Sequence, residues 1–412
     1  MVNTYTLKNG LRLVVKRMEG LLSVSMGVLV GAGAAYESDE EDGISHYIEH
    51  MQFKGTLTRT TKQISDAFDD IGAQVNAFTG KDMTCFYSKA TESHTEEAFA
   101  LLSDLFLNAT FPEDEAKREK EVICEEISMN EDTPEDLCLD ILAEAMYGKT
   151  GYGRNILGTT DNVRSFTKTA VDKYKAELYQ PENMVVCFAG AIDFEKAKDL
   201  TEKYFGSLRG GNFKRREKKI SLYRNTLFKK KKIEQVHLAI GYPSVTRTSK
   251  DIESVQIMNT AVGSGMSSRL FQEVREKLGL AYTVYSYGSH YAECGHMAIY
   301  AGVNAKNVQK AYDAILRVLQ ETKKEGISKE EFSRAREQIR ANGIFAQEST
   351  SSQMLWYGRY MLHDNKVYDF DELERRYDSV TQDDVMRVLN DTFVAEKRSA
   401  ALVGPASAPL PL

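Results

Sequence analysis

The sequence predicts an α+β protein made of two homologous halves, each a mostly antiparallel sheet with helices packed on it. Three observations predict this. The chain has 412 residues, too many for one ordinary core, so two domains of about 200 residues are expected. β-rich and helical runs follow one another in the same order in both halves. Two stretches also match at constant spacing: "SFTKTAVDKYKAELYQPENMVVCFAGA" from Ser165 and "SVTQDDVMRVLNDTFVAEKRSAALVGP" from Ser379. Ser165, Thr167, Val171 and Gly190 match Ser379, Thr381, Val385 and Gly404, each pair 214 positions apart (379 − 165, 404 − 190).

The elements follow from local chemistry. "MVNTYTLKNGLRLVVKR" reads as two short strands around a Lys-Asn-Gly turn. "SVSMGVLVG" and "QVHLAIGYP" are β-rich runs, each followed by a helical pattern. "FDDIGAQVNAFTGKDMTCFYSKA" and "REKLGLAYTVYSYGSHYAECGHMAIYAG" each give a helix stopped by Gly and then two β-rich runs. The stretches from Ser165 and Ser379 each open with a Ser/Thr helix cap and end in a β-rich run closed by Gly. The basic run Ser207–Lys232, "SLRGGNFKRREKKISLYRNTLFKKKK", reads as a solvated linker. The domains are therefore expected at 1–206 and 233–404, with a disordered tail at 405–412.

Composition narrows the function. Hydrophobic residues make up 42% and charged residues 27%, which is globular. A net charge of −7 disfavours bulk nucleic-acid binding and is compatible with a basic peptide substrate. No apolar run approaches the roughly 20 residues of a membrane span, and the N-terminus lacks the pattern of a signal peptide. Cys85, Cys124, Cys138, Cys187 and Cys294 are scattered, odd in number and without C-x-x-C spacing. They read as reduced thiols, which points to the cytoplasm.

"SHYIEHMQFKGT" (Ser45–Thr56) carries the chemistry. His46 and His50 lie one helical turn apart on one face, and Glu49 points the same way. Two imidazoles at i and i+4 chelate zinc, and a neighbouring carboxylate can take a proton from water activated by the metal. The order H-x-x-E-H is the reverse of the commoner H-E-x-x-H. A catalytic zinc needs a third protein ligand. The acidic helical run from Glu113 offers Glu126, whose i−3 and i−4 neighbours Ile123 and Val122 place it on an apolar face. Glu119 shares that stripe two turns earlier, and Glu125 lies about 100° round the helix. Spacing alone favours Glu126 only moderately over Glu125. The other histidines, His94, His237, His290, His296 and His363, have no ligand spacing. The motif is absent from the second half, so one half is expected to do the chemistry and the other to assist.

"GISHYIEHMQFKGT", "GAQVNAFTGKDMTCFYSKA", "REKEVICEEISMNEDTPED" and "GSGMSSRLFQEVREKLGLAYTVYSY" together resemble the pitrilysin/insulinase family of inverzincin zinc peptidases. The likeness is greatest to its processing-peptidase branch and spans nearly the whole chain. It implies two halves closing as a clamshell around an extended peptide. It implies one zinc per chain on His46, His50 and Glu126, Glu49 as general base and Glu119 as a supporting acid. "QVNAFTG", with Asn76 and Ala77, would be an edge strand to which substrate adds. Phe53 would line the pocket for the side chain after the cut bond, although by itself it could equally be core. Arg275 and Tyr282 would contact bound substrate from the second half. Without the likeness, Arg275 reads as a solvated helix residue and Tyr282 as a buried strand residue. Asp136 and Asp140, four apart on a helix, would receive an arginine near the cut, or else form a solvated acidic face.

The resulting expectation is a zinc endopeptidase acting on peptides or unfolded segments. It would pair as a homodimer, or as a heterodimer with a related chain, with no nucleic-acid or membrane partner. The alternative is a non-catalytic scaffold of the same fold.

Overall fold

Strand Met184–Gly190 is buried along its whole length, and its residues alternate between two cores. Met184, Val186 and Phe188 face one, and Val185, Cys187 and Ala189 face the other. A strand that is apolar on both sides must sit inside a sheet covered on both faces. The computed structural model, which describes residues 2–211, 213–216 and 220–405, has two such sheets.

The first contains β1 (Val2–Thr6), β2 (Arg12–Arg17), β3 (Ser23–Val30), β4 (Gln74–Thr79), β5 (Thr84–Thr91) and β6 (Met184–Gly190), in the order β1-β2-β6-β3-β5-β4. The second contains β7 (Thr226–Lys230), β8 (Gln235–Ser244), β9 (Ala281–His290), β10 (Gly295–Asn304) and β11 (Ser399–Gly404), in the order β7-β11-β8-β10-β9. Only β2–β6 and β7–β11 run parallel; the other pairs are antiparallel. The protein is thus an α+β protein with two sheets of corresponding order, and β1 has no counterpart in the second.

The sequence repeat is visible in local structure. Thr167 and Thr381 cap the helices Lys168–Leu178 and Gln382–Thr392, their side chains accepting from the backbone N–H of Ala170 and Asp384. Val171 and Val385 are both buried. Gly190 and Gly404 close β6 and β11 at positive φ, 131° and 159°. At Gly190 a Cβ would lie 2.2 Å from the Ser23 carbonyl oxygen of β3. At Gly404 the corresponding approach, to Gln235 on β8, is 3.0 Å.

The chain divides into two units that are not contiguous halves. The first comprises 1–127, 155–218 and 345–369, and the second 128–154, 219–344 and 370–412. The helix Thr350–Asp364 covers the outer face of the first sheet. Met354 and Tyr357 join Val185 and Cys187 in the core there, and Ser25 Oγ lies 2.8 Å from Thr350 Oγ1. In the second unit Pro134–Tyr147 takes the equivalent place. Cys138 Sγ donates to the His237 carbonyl at 3.3 Å, and Met146 abuts Gly241. All five cysteines are buried, and none forms a disulfide.

The basic run is not solvated throughout. Its residues 226–230 form β7, paired with β11, because Leu227 and Phe228 give it enough apolar character to join the sheet edge while Lys229 and Lys230 stay exposed. The tail expected at 405–412 lies, beyond Pro405, outside the described residues. Among the described residues no helix is long and apolar enough to cross a membrane.

Gly190→Ala is expected to lower stability by about 1–3 kcal/mol through strain at positive φ, and further through the backbone clash. Gly404→Ala should cost less. The urea midpoints of the two variants check this ranking, and equal midpoints would contradict it.

Candidate metal centre

The helix Ile44–Gln52 starts at Gly43, whose φ of 94° admits no other residue easily. Its register puts both histidines against the acidic helix Glu113–Glu131 and Glu49 against β4. His46 Nε2 and His50 Nε2 are 3.2 Å apart. Glu126 Oε2 is 3.6 Å from the first and 3.4 Å from the second. Four-coordinate tetrahedral zinc, with bonds of about 2.0–2.1 Å, holds its donors about 3.3 Å from one another. The two imidazoles and the carboxylate therefore already fit the ion. Among the described residues they form the one group of three able to hold a metal.

Glu119 and Lys54 hold this arrangement from behind. Glu119, 6% exposed, accepts from His50 Nδ1 at 2.8 Å and pairs through its other oxygen with Lys54 Nζ at 2.7 Å. Burial works to raise the Glu119 carboxyl, but the bonds to His50 and Lys54 outweigh it and hold it below its ordinary value. Burial pulls His50 down as well, yet its bonds to Glu119 and Glu126 prevail and raise it. Burial and then the charge of His50 push His46 down. One imidazole of the pair thus keeps a proton, and a metal must displace it. With a proton on Nδ1 bonded to Glu119, the Nε2 of His50 is left to ligate. His46 Nδ1 is buried without a hydrogen-bond partner among the described residues.

Glu49 ligates nothing here. Thr79 on β4 donates to its Oε2 at 2.5 Å, and burial is the largest influence, raising its carboxyl above the ordinary value. Glu125 is exposed, away from the two histidines. The apolar stripe expected to carry Glu126 needs correcting, because Val122 is 50% exposed. The buried face is centred on Glu119 and Ile123, and at about 100° per residue Val122 falls outside it while Glu126 lies on its margin.

The expected substrate residues fall into both units. β4 is one of the two edge strands of the first sheet. On it Asn76 is exposed and Ala77 buried, and the Ala77 N–H is held by Asn76 Oδ1 at 2.8 Å. Phe53 ends the histidine helix and packs, partly buried, against the first core. In the second unit Arg275 stands in a π-helical turn, Phe271–Lys277, with its guanidinium 4.6 Å from the Phe271 ring and 5.3 Å from the Tyr282 ring. Both line a cavity of about 410 Å³. Tyr282 is 76% exposed, not buried as its strand pattern suggests, because it is the second residue of the edge strand β9, beside Arg275. Asp136 is exposed and Asp140 half-buried on Pro134–Tyr147. Their neighbour Glu135 accepts from Tyr285 Oη at 2.6 Å.

Comparison with known proteins places this arrangement. The family model described as Insulinase (Peptidase family M16) matches residues 13–160, and that described as Peptidase M16 inactive domain matches 165–339. An uncharacterized zinc protease of Bacillus subtilis, YmxG, is 38% identical over 405 residues, covering 98% of each chain. The chain belongs to peptidase family M16. An uncharacterized zinc protease of Streptomyces coelicolor is 33% identical, covering 98% of this M16 chain and 90% of its own. Two crystal structures share the fold. A protease from Helicobacter pylori superposes with a TM-score of 0.91 at 24% identity, covering 98% of this chain and 99% of its own. A peptidase M16 inactive domain from Pseudomonas fluorescens superposes at 0.92 and 20% identity, over all of both chains.

Lys54 and Thr79 escaped the sequence reading of this M16 site. Lys54 lies just past the end of the histidine helix, where helical spacing no longer marks a side chain's direction. Thr79 is two residues after Ala77 and shares its face of β4.

Replacing Glu126 with Gln should reduce zinc occupancy strongly, and replacing Glu125 with Gln should leave it near one ion per chain. Metal analysis after dialysis checks this. Equal losses would assign the third ligand elsewhere.

Proposed function

We propose that this M16 chain is a zinc endopeptidase whose first unit performs the hydrolysis. The observation that carries this reading is the convergence of His46, His50 and Glu126 donors at 3.2–3.6 Å beside Glu49, a helix neighbour that ligates none of them. The zinc-protease names of its relatives support the choice of metal. When bound, zinc supplies Lewis-acid polarisation to the scissile carbonyl and to the attacking water.

Glu49 accepts the proton of that water and later gives it to the leaving amine. Its carboxyl, raised by burial, is suited to both transfers, and Thr79 keeps it turned by holding Oε2. Glu119 acts through His50 by fixing the imidazole's proton on Nδ1. An extended peptide adds to the edge of β4 at Asn76 and Ala77, where main-chain hydrogen bonds hold many sequences alike. To pair there, the peptide displaces Asn76 Oδ1 from the Ala77 N–H. Phe53 lines the pocket beyond the cut bond, and Arg275 and Tyr282 serve the substrate from the second unit.

The second reading, a scaffold without activity, draws on the "inactive domain" description over 165–339. The complete donor set in the other half weighs against it. Cleavage of a quenched fluorescent peptide by zinc-loaded protein separates the two readings. Glu49→Gln should keep its zinc and lose about 100- to 10,000-fold in kcat, the usual worth of a general base. Full activity in that zinc-loaded variant would exclude Glu49 as the base.

The same reading extends to specificity. Asp136 and Asp140 share a helix face and favour a basic residue shortly before the scissile bond. Arg is preferred to Lys because its guanidinium binds a carboxylate through two parallel hydrogen bonds. In a peptide series differing only at those positions, Arg peptides should be cut fastest, and Asp136→Asn with Asp140→Asn should erase the advantage. If the double variant keeps the preference, the two acids do not set it.

A further inference from the structure

Arg216 belongs to the basic run that composition assigns to solvent, two residues before the end of the first unit's 155–218 stretch. Its side chain is nevertheless only 17% exposed. Nη1 donates to the Tyr36 carbonyl at 3.1 Å and to Glu41 Oε2 at 2.5 Å. Nη2 reaches Glu41 Oε1 at 3.1 Å and Glu177 Oε2 at 2.5 Å, and Nε reaches Glu177 Oε1 at 2.5 Å. The guanidinium thus binds two carboxylates, each through a pair of bonds, and lies 5.2 Å from the Tyr174 ring centre.

These contacts meet at the base of the histidine helix. Tyr36 and Glu41 bracket Glu37, which is buried, accepts from Gly43 N at 2.8 Å and Ser45 N at 2.9 Å, and so satisfies backbone donors that the first turn leaves open. Tyr174 Oη is 2.7 Å from Ser45 Oγ. One route from Arg216 runs through the Tyr36–Glu41 segment and Glu37, the other through Tyr174. Both end at Ser45, the residue before His46. Arg215 adds a bond to Tyr36 Oη at 2.8 Å.

We propose that Arg216 is a positioning residue of the metal centre, fastening its own stretch of the first unit to the base of the helix that presents His46 and His50. The proposal rests on the zinc reading above for its consequence, but not for the fastening itself. Without the guanidinium, Glu41 is left half-buried with no cation and repelled by the more exposed Glu177. The Tyr36–Glu41 segment, with Glu37 on it, then loses its anchor.

The test compares full-length wild type, Arg216→Ala, Arg216→Lys and Arg387→Ala. The last removes an equally bidentate arginine pair, with Asp251, in the second unit. Hydrogen exchange in metal-free protein reads the fastening, and the rate of zinc loss to a chelator reads its consequence. In Arg216→Ala, amides 43–46 should exchange at least about tenfold faster, and zinc should leave about 10- to 100-fold faster, the usual effect of losing a supporting contact behind a ligand. Arg216→Lys, which keeps the charge but not the double fork, should fall between, and Arg387→Ala should match wild type in both. Unchanged exchange at 43–46 in Arg216→Ala would overturn the proposal. So would a rise spread evenly over the first unit, which would make Arg216 a general stability residue. Wild type that takes up no zinc would end the zinc reading, while the exchange arm would still decide the fastening.

Discussion

Burial on both faces constrains everything else in this chain. β6 and the middle of β3 carry apolar or small residues on each side, and β8 and β11 do the same in the second sheet. A sheet of that kind needs two layers of cover. The helices local to each half supply one. The other comes from a distant part of the chain, Thr350–Asp364 for the first sheet and Pro134–Tyr147 for the second. Polar details secure the first of these, since Arg12 donates to the carbonyls of Met361 and Leu362 at the helix's C-terminal end, where a cation is favoured. The acidic helix therefore changes unit along its own length, between Ile127 and Ser128, one residue after the proposed ligand Glu126.

On this frame the metal centre is a problem of buried charge. Glu119 has little contact with water and would be costly alone. Lys54 and His50 compensate it from two sides, and the same bonds orient the imidazole. Glu126 behaves differently. Its side chain is 43% exposed and is held mainly by His50, so it can approach a metal without first giving up a buried partner. Glu49, with one oxygen on Thr79, is tied to the edge strand rather than to the donors. Glu49 and the two histidines thus share a helix but answer to different neighbours.

Much of this was legible in the sequence because it is local or periodic. The i, i+4 spacing sets His46 and His50 on one face whatever surrounds the helix. The caps at Thr167 and Thr381 and the closing glycines Gly190 and Gly404 were readable from short-range chemistry repeated at one interval. The β-rich composition of β3 and β6 announced strands. The choice of Glu126 over Glu125 was only leaning in the sequence, since both lie on one acidic helix and one residue of rotation separates them.

Tertiary structure decided what depends on partners remote in the chain. Spacing could not tell that Val122 faces water and Glu119 does not, because the helix's buried centre is set by what packs on it. Tyr282 sits in a β-rich run that reads as buried, yet its strand is an edge. The long crossovers that carry Pro134–Tyr147 and Thr350–Asp364 to their sheets leave no local mark, since any amphipathic helix could cover either face. Arg216 has the sequence context of a solvated linker and the contacts of an anchor. A charged side chain's role is fixed by the carboxylates that reach it, and Glu41 and Glu177 lie in segments that only the folded chain brings to it.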